Sequence, residues 1–319
     1  MKRKQSERPV FIGQNLYIRP TYIVSMPEYY GGSRYSSYKF LENIKNLDNN
    51  SHNGEVSKKS GTKIRNAINW LLIGAKPKRV YSKQAKKTFQ FKVSLITLTL
   101  PDTDTCVTNR DFQVKLLNPF LVYCRKYYGL KNYVWKLELQ KNGKIHAHLT
   151  VDCFMYYGAL RRTWNRLLRR QGYLSAFERS FGHSNPNSTD VHSVKTVKNL
   201  GAYLAKYLSK DEGANEKING RIWGCSYELS NANKASIHVS ADECSQNLRC
   251  LDNPQIEYSS LESPPDCLGH RRKFGEIYFL NFTKWRLLIT GELKQKFLEV
   301  RNSITSSVQY FDNVEFNSV

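Results

Sequence analysis

The sequence predicts a mixed α+β fold with one central antiparallel sheet. Three observations point to it: a β-rich run at 91–100, a pair of adjacent strand signals at 132–140 and 144–153, and amphipathic helical segments before and after that pair. Phe91-Lys-Val-Ser-Leu-Ile-Thr-Leu-Thr-Leu100 is dense in β-formers and stops at Pro101, so it reads as a buried strand. Helical signals follow over 110–128, with Asn118-Pro119 expected to cap a second piece and Gly129 to close it. Two strands joined through Lys141-Asn142-Gly143 come next. Leu160, Trp164, Leu167 and Leu168 then mark an amphipathic helix ending at Gly172, and a loop at 182–189 leads to a short strand near 190–194. A helix over 196–210 and a last strand over Trp223–Ser230 complete the reading. The order β-α-β-β-α-β is the split, ferredoxin-like arrangement, with two helices on one sheet face and the other face free for a site.

The flanks are less legible. Residues 1–60 read as an arm and linker, with a polar breaker stretch at 48–54. Ile64, Ala67, Ile68, Leu71 and Leu72 recur at helical spacing before Gly74, and a basic connector runs from Lys76 to Lys87. Residues 231–319 carry a polar stretch and an apolar run at Phe274–Thr290 of ambiguous period. The expected organisation is therefore a basic N-terminal segment (1–87), a central domain (88–230) and a C-terminal extension (231–319).

Composition narrows the partners. The 319 residues hold 49 Lys and Arg against 27 Asp and Glu, a formal charge of +22, which favours nucleic acid as partner. No apolar run approaches the roughly 20 residues of a membrane span, and the basic N-terminus leads into no apolar signal region. The seven cysteines form no C-x-x-C pair and are odd in number, which points to small buried thiols in a reducing cytoplasm.

Two groups of residues carry chemistry. His146 and His148 alternate on a strand, so they share a face and could hold one metal ion. The turn between the strands decides what joins them. A two-residue turn at Asn142-Gly143 would set Glu138 opposite Ala147, on the wrong face. A three-residue loop with Gly143 left-handed sets Glu138 opposite His146. Both are chemically allowed, but only the odd-length loop completes a site, and it is the one expected. Two imidazoles and a carboxylate suit Mg²⁺ or Mn²⁺; Zn²⁺ is the softer alternative, though no cysteine lies near the motif.

The second group is Tyr203-Leu-Ala-Lys206-Tyr207-Leu-Ser-Lys210. On a helix these two phenols and two ammonium groups fall within roughly a 100° arc, beside an apolar stripe of Val197, Leu200, Leu204 and Leu208. A phenol is a poor nucleophile at neutral pH, and adjacent lysines with a metal favour its phenolate. Metal-holding histidines with paired tyrosines and lysines are the equipment for attack on a phosphodiester. Arg161, Arg162, Arg166, Arg169 and Arg170 form an acid-free helical face that could contact a DNA backbone.

These motifs resemble the HUH endonucleases, the rolling-circle replication initiators of small single-stranded DNA replicons. The resemblance covers about 88–230 through Leu95-Ile-Thr97-Leu-Thr99, Trp135-Lys-Leu-Glu138-Leu-Gln140 with His146-Ala-His148, and the Tyr203–Lys210 motif. The paired tyrosines, Trp164-Asn165 and Trp223-Gly-Cys-Ser226 are similar to the microvirus branch, that of small single-stranded DNA bacteriophages. The resemblance implies a metal on His146, His148 and Glu138, tyrosine attack at an origin in single-stranded DNA, a 5′-phosphotyrosine link, a free 3′-OH that primes host polymerase, and rejoining through the second tyrosine. It implies action in the cytoplasm of a bacterial host cell, with no small-molecule substrate. No G-x-x-x-x-G-K-[ST] loop is found, so a host helicase is implied. A non-catalytic single-strand-binding module and a plasmid relaxase or tyrosine transposase are the competing readings.

Overall fold

Alternating side chains set the strands of this protein, and apolar residues three and four apart set its helices. The computed structural model describes residues 10–30, 54, 56–82, 86–101, 106–140, 142–193, 218–240, 256–262, 273–280 and 291–314. Along the chain come β1 (Val10–Ile18), β2 (Tyr22–Tyr30), α1 (Lys58–Gly74), β3 (Lys78–Ser82), β4 (Lys87–Phe91) and β5 (Ser94–Thr99). They are followed by α2 (Asn118–Tyr128), β6 (Tyr133–Leu139), β7 (Ile145–Val151), α3 (Tyr157–Arg170), α4 (Ser175–Phe181) and β8 (Thr189–Ser193). The remainder is β9 (Trp223–Cys225), α5 (Tyr227–Ala232), β10 (Ser236–Ser240), β11 (Glu257–Glu262), β12 (Lys273–Phe279), α6 (Gly291–Ile304) and β13 (Gln309–Val314). The expected tyrosine helix at 196–210 lies outside the described residues.

The described parts of 52–230 and 304–319 form one compact unit, and those of 1–51 and 231–303 another. In the first, a five-stranded sheet has the order β8-β5-β7-β6-β9, every neighbouring pair antiparallel. Its first four strands reproduce the split β-α-β-β-α-β order. Ile96, Leu98, Leu137, Ala147 and Leu149 turn to one face. They pack there with Phe112, Phe120 and Cys124 before and along α2 and with Leu160, Trp164 and Leu168 of α3. The α+β fold predicted from sequence is the fold observed. A smaller sheet in the same unit pairs β13 parallel to β3 and β3 antiparallel to β4.

Several local expectations change. Pro119 does not break the helix before it: a helical turn at Asn109–Asp111 continues through a π-helical stretch, Phe112–Leu117, into α2. Proline lacks an N–H and crowds the carbonyl four residues back, and the wider π turn accommodates both. The N-cap is Thr108, whose hydroxyl accepts from the Asp111 N–H at 3.1 Å, rather than Asn118. Gly129 closes α2 in the left-handed conformation, φ 63°, as expected.

Gly74 ends α1 for a different reason from the one the sequence suggested. A Cβ there would lie 2.4 Å from the Ile304 carbonyl oxygen, so only glycine permits the close approach of the 304–306 segment. The strand expected over 223–230 is only Trp223–Cys225, because Tyr227–Ala232 turns helical. A short helix, α4, occupies residues that carried no helical signal of their own.

The second unit is a five-stranded sheet of order β10-β1-β2-β12-β11, again antiparallel throughout. Residues 10–30, read from sequence as part of an arm, supply its central strands. Their pairing partners at 236–240 and 273–279 are over 200 residues away, and a bulge at Phe11/Gly13 breaks the alternation. No described helix is long and apolar enough to cross a membrane.

Trp164 joins the helical layer to the strand that ends beside the hairpin histidines. It is fully buried, meets Phe112 and Phe120 at ring distances of 5.9 and 5.8 Å, and donates its indole N–H to the Thr99 carbonyl at 2.9 Å. Trp164→Phe should destabilise the protein by about 1–3 kcal/mol, through lost volume and an orphaned carbonyl. Urea denaturation checks this; a change under about 0.5 kcal/mol would show that the bond contributes little.

Candidate metal centre

The β6–β7 hairpin carries the three-residue loop. Gln140 and Lys144 close it, the Gln140 N–H donating to the Lys144 carbonyl at 2.8 Å, and Gly143 has φ 74°. The register then pairs Glu138 with His146 and Lys136 with His148. Thr99 and Thr97 of β5 pair with the same two histidines from the other side. Glu138, His146 and His148 therefore stand on the sheet face opposite α2 and α3.

Their ligand atoms converge. The two Nε2 atoms are 3.0 Å apart, and Glu138 Oε2 lies 3.5 Å from that of His146 and 3.2 Å from that of His148. Neighbouring ligands with bonds of about 2.1 Å lie about 3.0 Å apart in an octahedron and about 3.4 Å apart in a tetrahedron. The donor set has the spacing of three positions around one divalent ion. Two imidazole lone pairs at this distance repel each other, so the arrangement calls for a cation or a shared proton between them. Among the described residues this is the one cluster of three such donors. The residues fit a divalent metal; which metal is a separate matter.

Two further residues, to which the sequence reading assigned no role, orient the triad. Thr97 Oγ1 lies 3.2 Å from His148 Nδ1. With Nδ1 protonated and donating to that oxygen, Nε2 keeps its lone pair facing the other ligands. Lys136, its side chain 4% exposed, places its ammonium 2.6 Å from Glu138 Oε1, which leaves Oε2 to the histidines. Burial alone would push the Glu138 carboxyl up. Hydrogen bonds with His146, His148 and Lys136 outweigh it and hold that carboxyl well below the usual carboxylate range. Both residues were detectable in principle: Thr97 by counting register across β5, Lys136 by its place two residues before Glu138.

Beside His148 the same face opens into a cavity of about 180 Å³, lined among others by Leu95, Thr97, Asp190 and His192. Asp190 and His192 form an exposed pair at 2.7 Å on β8. Tyr203, Lys206, Tyr207 and Lys210 lie outside the described residues. Cysteine chemistry is remote from the site: burial pushes the Cys124 thiol up to about 12 and that of Cys225 up to about 11.

The arginine-rich helix divides into two rows. Arg161 donates to the carbonyls of Pro186 and Asn185 at 3.0 and 2.8 Å, and Arg169 to that of Ser184 at 3.3 Å, so these two hold a loop. Arg166 lies over the Tyr123 ring at 4.9 Å, and Arg162, Arg166 and Arg170 are exposed. All five are on α3, across the sheet from the metal triad.

Residues 93–212 match a family model described as replication-associated protein ORF2. The matched span is somewhat over a third of the chain and contains both the triad and the Tyr203–Lys210 motif. Nothing among curated proteins or solved structures matches the chain. The family match supports a replication-initiator role and an interaction with DNA.

Two tests follow from this geometry. Thr97→Val should weaken Mn²⁺ binding by roughly 10–100-fold, as loss of a histidine-orienting partner does, while Thr97→Ser should retain it; titration calorimetry reads both. In metal-free protein, a depressed carboxyl stabilises the fold above the ordinary glutamate value, and the gain is lost as pH falls toward the folded value. The melting temperatures of wild type and Glu138→Gln should therefore differ at neutral pH and converge below about pH 4. A difference that does not change with pH would contradict the ion-pair role.

Proposed function

We propose that this protein is a rolling-circle replication initiator of the HUH type, nicking and rejoining single-stranded DNA at an origin. The observation that carries the reading is the Glu138–His146–His148 cluster, at ligand spacing on the open face of a split β-α-β-β-α-β sheet. The family match over the same residues supports it.

In this reading the triad holds Mg²⁺ or Mn²⁺, which when bound supplies positive charge to the non-bridging oxygens of the scissile phosphate. Thr97 and Lys136 keep the ligand atoms aimed. Tyr203 or Tyr207 attacks the phosphorus through its phenolic oxygen. The bond to the 3′ oxygen breaks, the 5′ phosphate stays on tyrosine, and the 3′ oxygen leaves as a hydroxyl after taking up a proton. Lys206 and Lys210 favour the phenolate and offset charge on the phosphoryl group. The free 3′-OH primes a host polymerase behind a host helicase. After one round the second tyrosine cleaves the regenerated origin, and the earlier 3′-OH displaces the first tyrosine to close the circle.

The excess positive charge supplies sequence-independent affinity by displacing counterions. Arg162, Arg166 and Arg170 are the α3 residues proposed for backbone contact, and Arg161 and Arg169 contribute through the loop they hold. The paired tyrosines favour the microvirus-like branch, acting inside a bacterial cell.

Incubation with single-stranded DNA and Mn²⁺ should give a covalent protein–DNA adduct, abolished by EDTA and by His146→Ala or His148→Ala. Tyr203→Phe or Tyr207→Phe alone should leave initial cleavage and block rejoining; both together should abolish the adduct and leave binding. Cleavage that survives EDTA would refute the metal-assisted reading.

A further inference from the structure

A second concavity, of about 470 Å³, lies at the end of β5 and includes Thr99, Phe177, Phe181, Pro186, Asn187 and Ser188 in its lining. Thr99 is the register partner of His146, so the pocket adjoins the strand end that carries the metal triad. Its volume falls in the range of small-molecule sites.

The lining says what kind of group would enter. Phe177 and Phe181, one turn apart on α4, stack with ring centroids 4.5 Å apart, and the Phe181 side chain is 64% exposed. Asn187, Ser180, Ser188 and Thr99 bring amide and hydroxyl groups, and among the described residues no charged side chain lines the cavity. A phosphate would find no cation in that lining. A flat, neutral ring with hydrogen-bonding edges would find an aromatic platform and polar partners.

The pocket wall is held in place. Loop residues 184–188 are gripped from α3: by Arg161 and Arg169 as described, and by Asn165. The Asn165 amide donates to Asn185 Oδ1 at 2.9 Å and to the Pro186 carbonyl at 3.1 Å, and its oxygen accepts from the Ser188 hydroxyl. The Ser188 carbonyl accepts from the Thr99 N–H at 2.8 Å, and Trp164 holds the Thr99 carbonyl. Three polar side chains of one helix are thus committed to one short loop, which keeps the cavity formed without a ligand.

We infer that this pocket receives an unpaired nucleobase of the DNA strand next to the phosphate at the metal triad, and so selects the sequence that is cut. The inference rests on the nuclease reading above, which it deepens by assigning a base-selecting site.

Two measurements on the full-length protein test it together. The first incubates a randomised single-stranded oligonucleotide pool with Mn²⁺ and sequences the DNA held in covalent adducts. Wild type should show a base preference at a position flanking the cut. Phe177→Ala with Phe181→Ala should flatten that preference by about tenfold, the size of one lost stacking contact, and Phe181→Ala alone, at an exposed position, should do so in part. The second measurement photo-cross-links single strands containing 5-iodouracil to the His146→Ala, His148→Ala protein, which needs no cleavage; label should appear in the peptide holding Phe177 and Phe181. An unchanged preference with no label in that peptide would overturn the pocket and leave the nuclease reading intact. Absence of any wild-type adduct would overturn the nuclease reading and the selecting role with it, whereas the cross-link reports base binding separately.

Discussion

The register of the β6–β7 hairpin is the constraint on which the site depends. A loop of three residues, with Gly143 in a conformation that most side chains avoid, pairs Glu138 with His146. One residue fewer would turn the carboxylate to the helical face, into the apolar core with Leu137 and Ala147. Because side chains alternate strictly along a strand, no intermediate arrangement exists. The metal centre follows from a single turn.

The rest of the unit stabilises that register and aims its side chains. On the helical face, Trp164, Phe112 and Phe120 fill the space over β5 and β7. On the other face, Thr97 and Lys136 are spaced by the same cross-strand ladder that places the ligands. A triad built from two adjacent strands, with its orienting partners on the same ladder, keeps its geometry while the DNA and the nucleophile come and go. Gathering a carboxylate and two imidazoles at such distances costs free energy in the absence of a cation. The ion pair to Lys136 offsets part of that cost.

Sequence periodicity disclosed β5 through β8 because each element there is amphipathic with its own period, and because the hairpin loop allowed the register to be counted residue by residue. The histidine pair and Glu138 were legible for the same reason. The central strands of the second sheet were not: β1 and β2 pair with strands from the far end of the chain, and pairing at that distance leaves no local trace. Pro119 suggested a break where a π turn carries the helix on. The arginines of α3 looked alike in sequence, but the loop at 184–188 claims Arg161 and Arg169 and leaves the other row to solvent. That division depends on tertiary contact, as does the role of Asn165. The Tyr203–Lys210 motif is legible in sequence alone, since it lies outside the described residues.

The central claim is that Glu138, His146 and His148 hold one divalent ion. Crystals of the protein grown with Mn²⁺ and measured for anomalous scattering test it most directly. The account predicts one strong peak bounded by Glu138 Oε2 and the two histidine Nε2 atoms, at bond lengths near 2.1–2.3 Å. A difference map without a peak there, with the histidines still in contact through a shared proton, would contradict it.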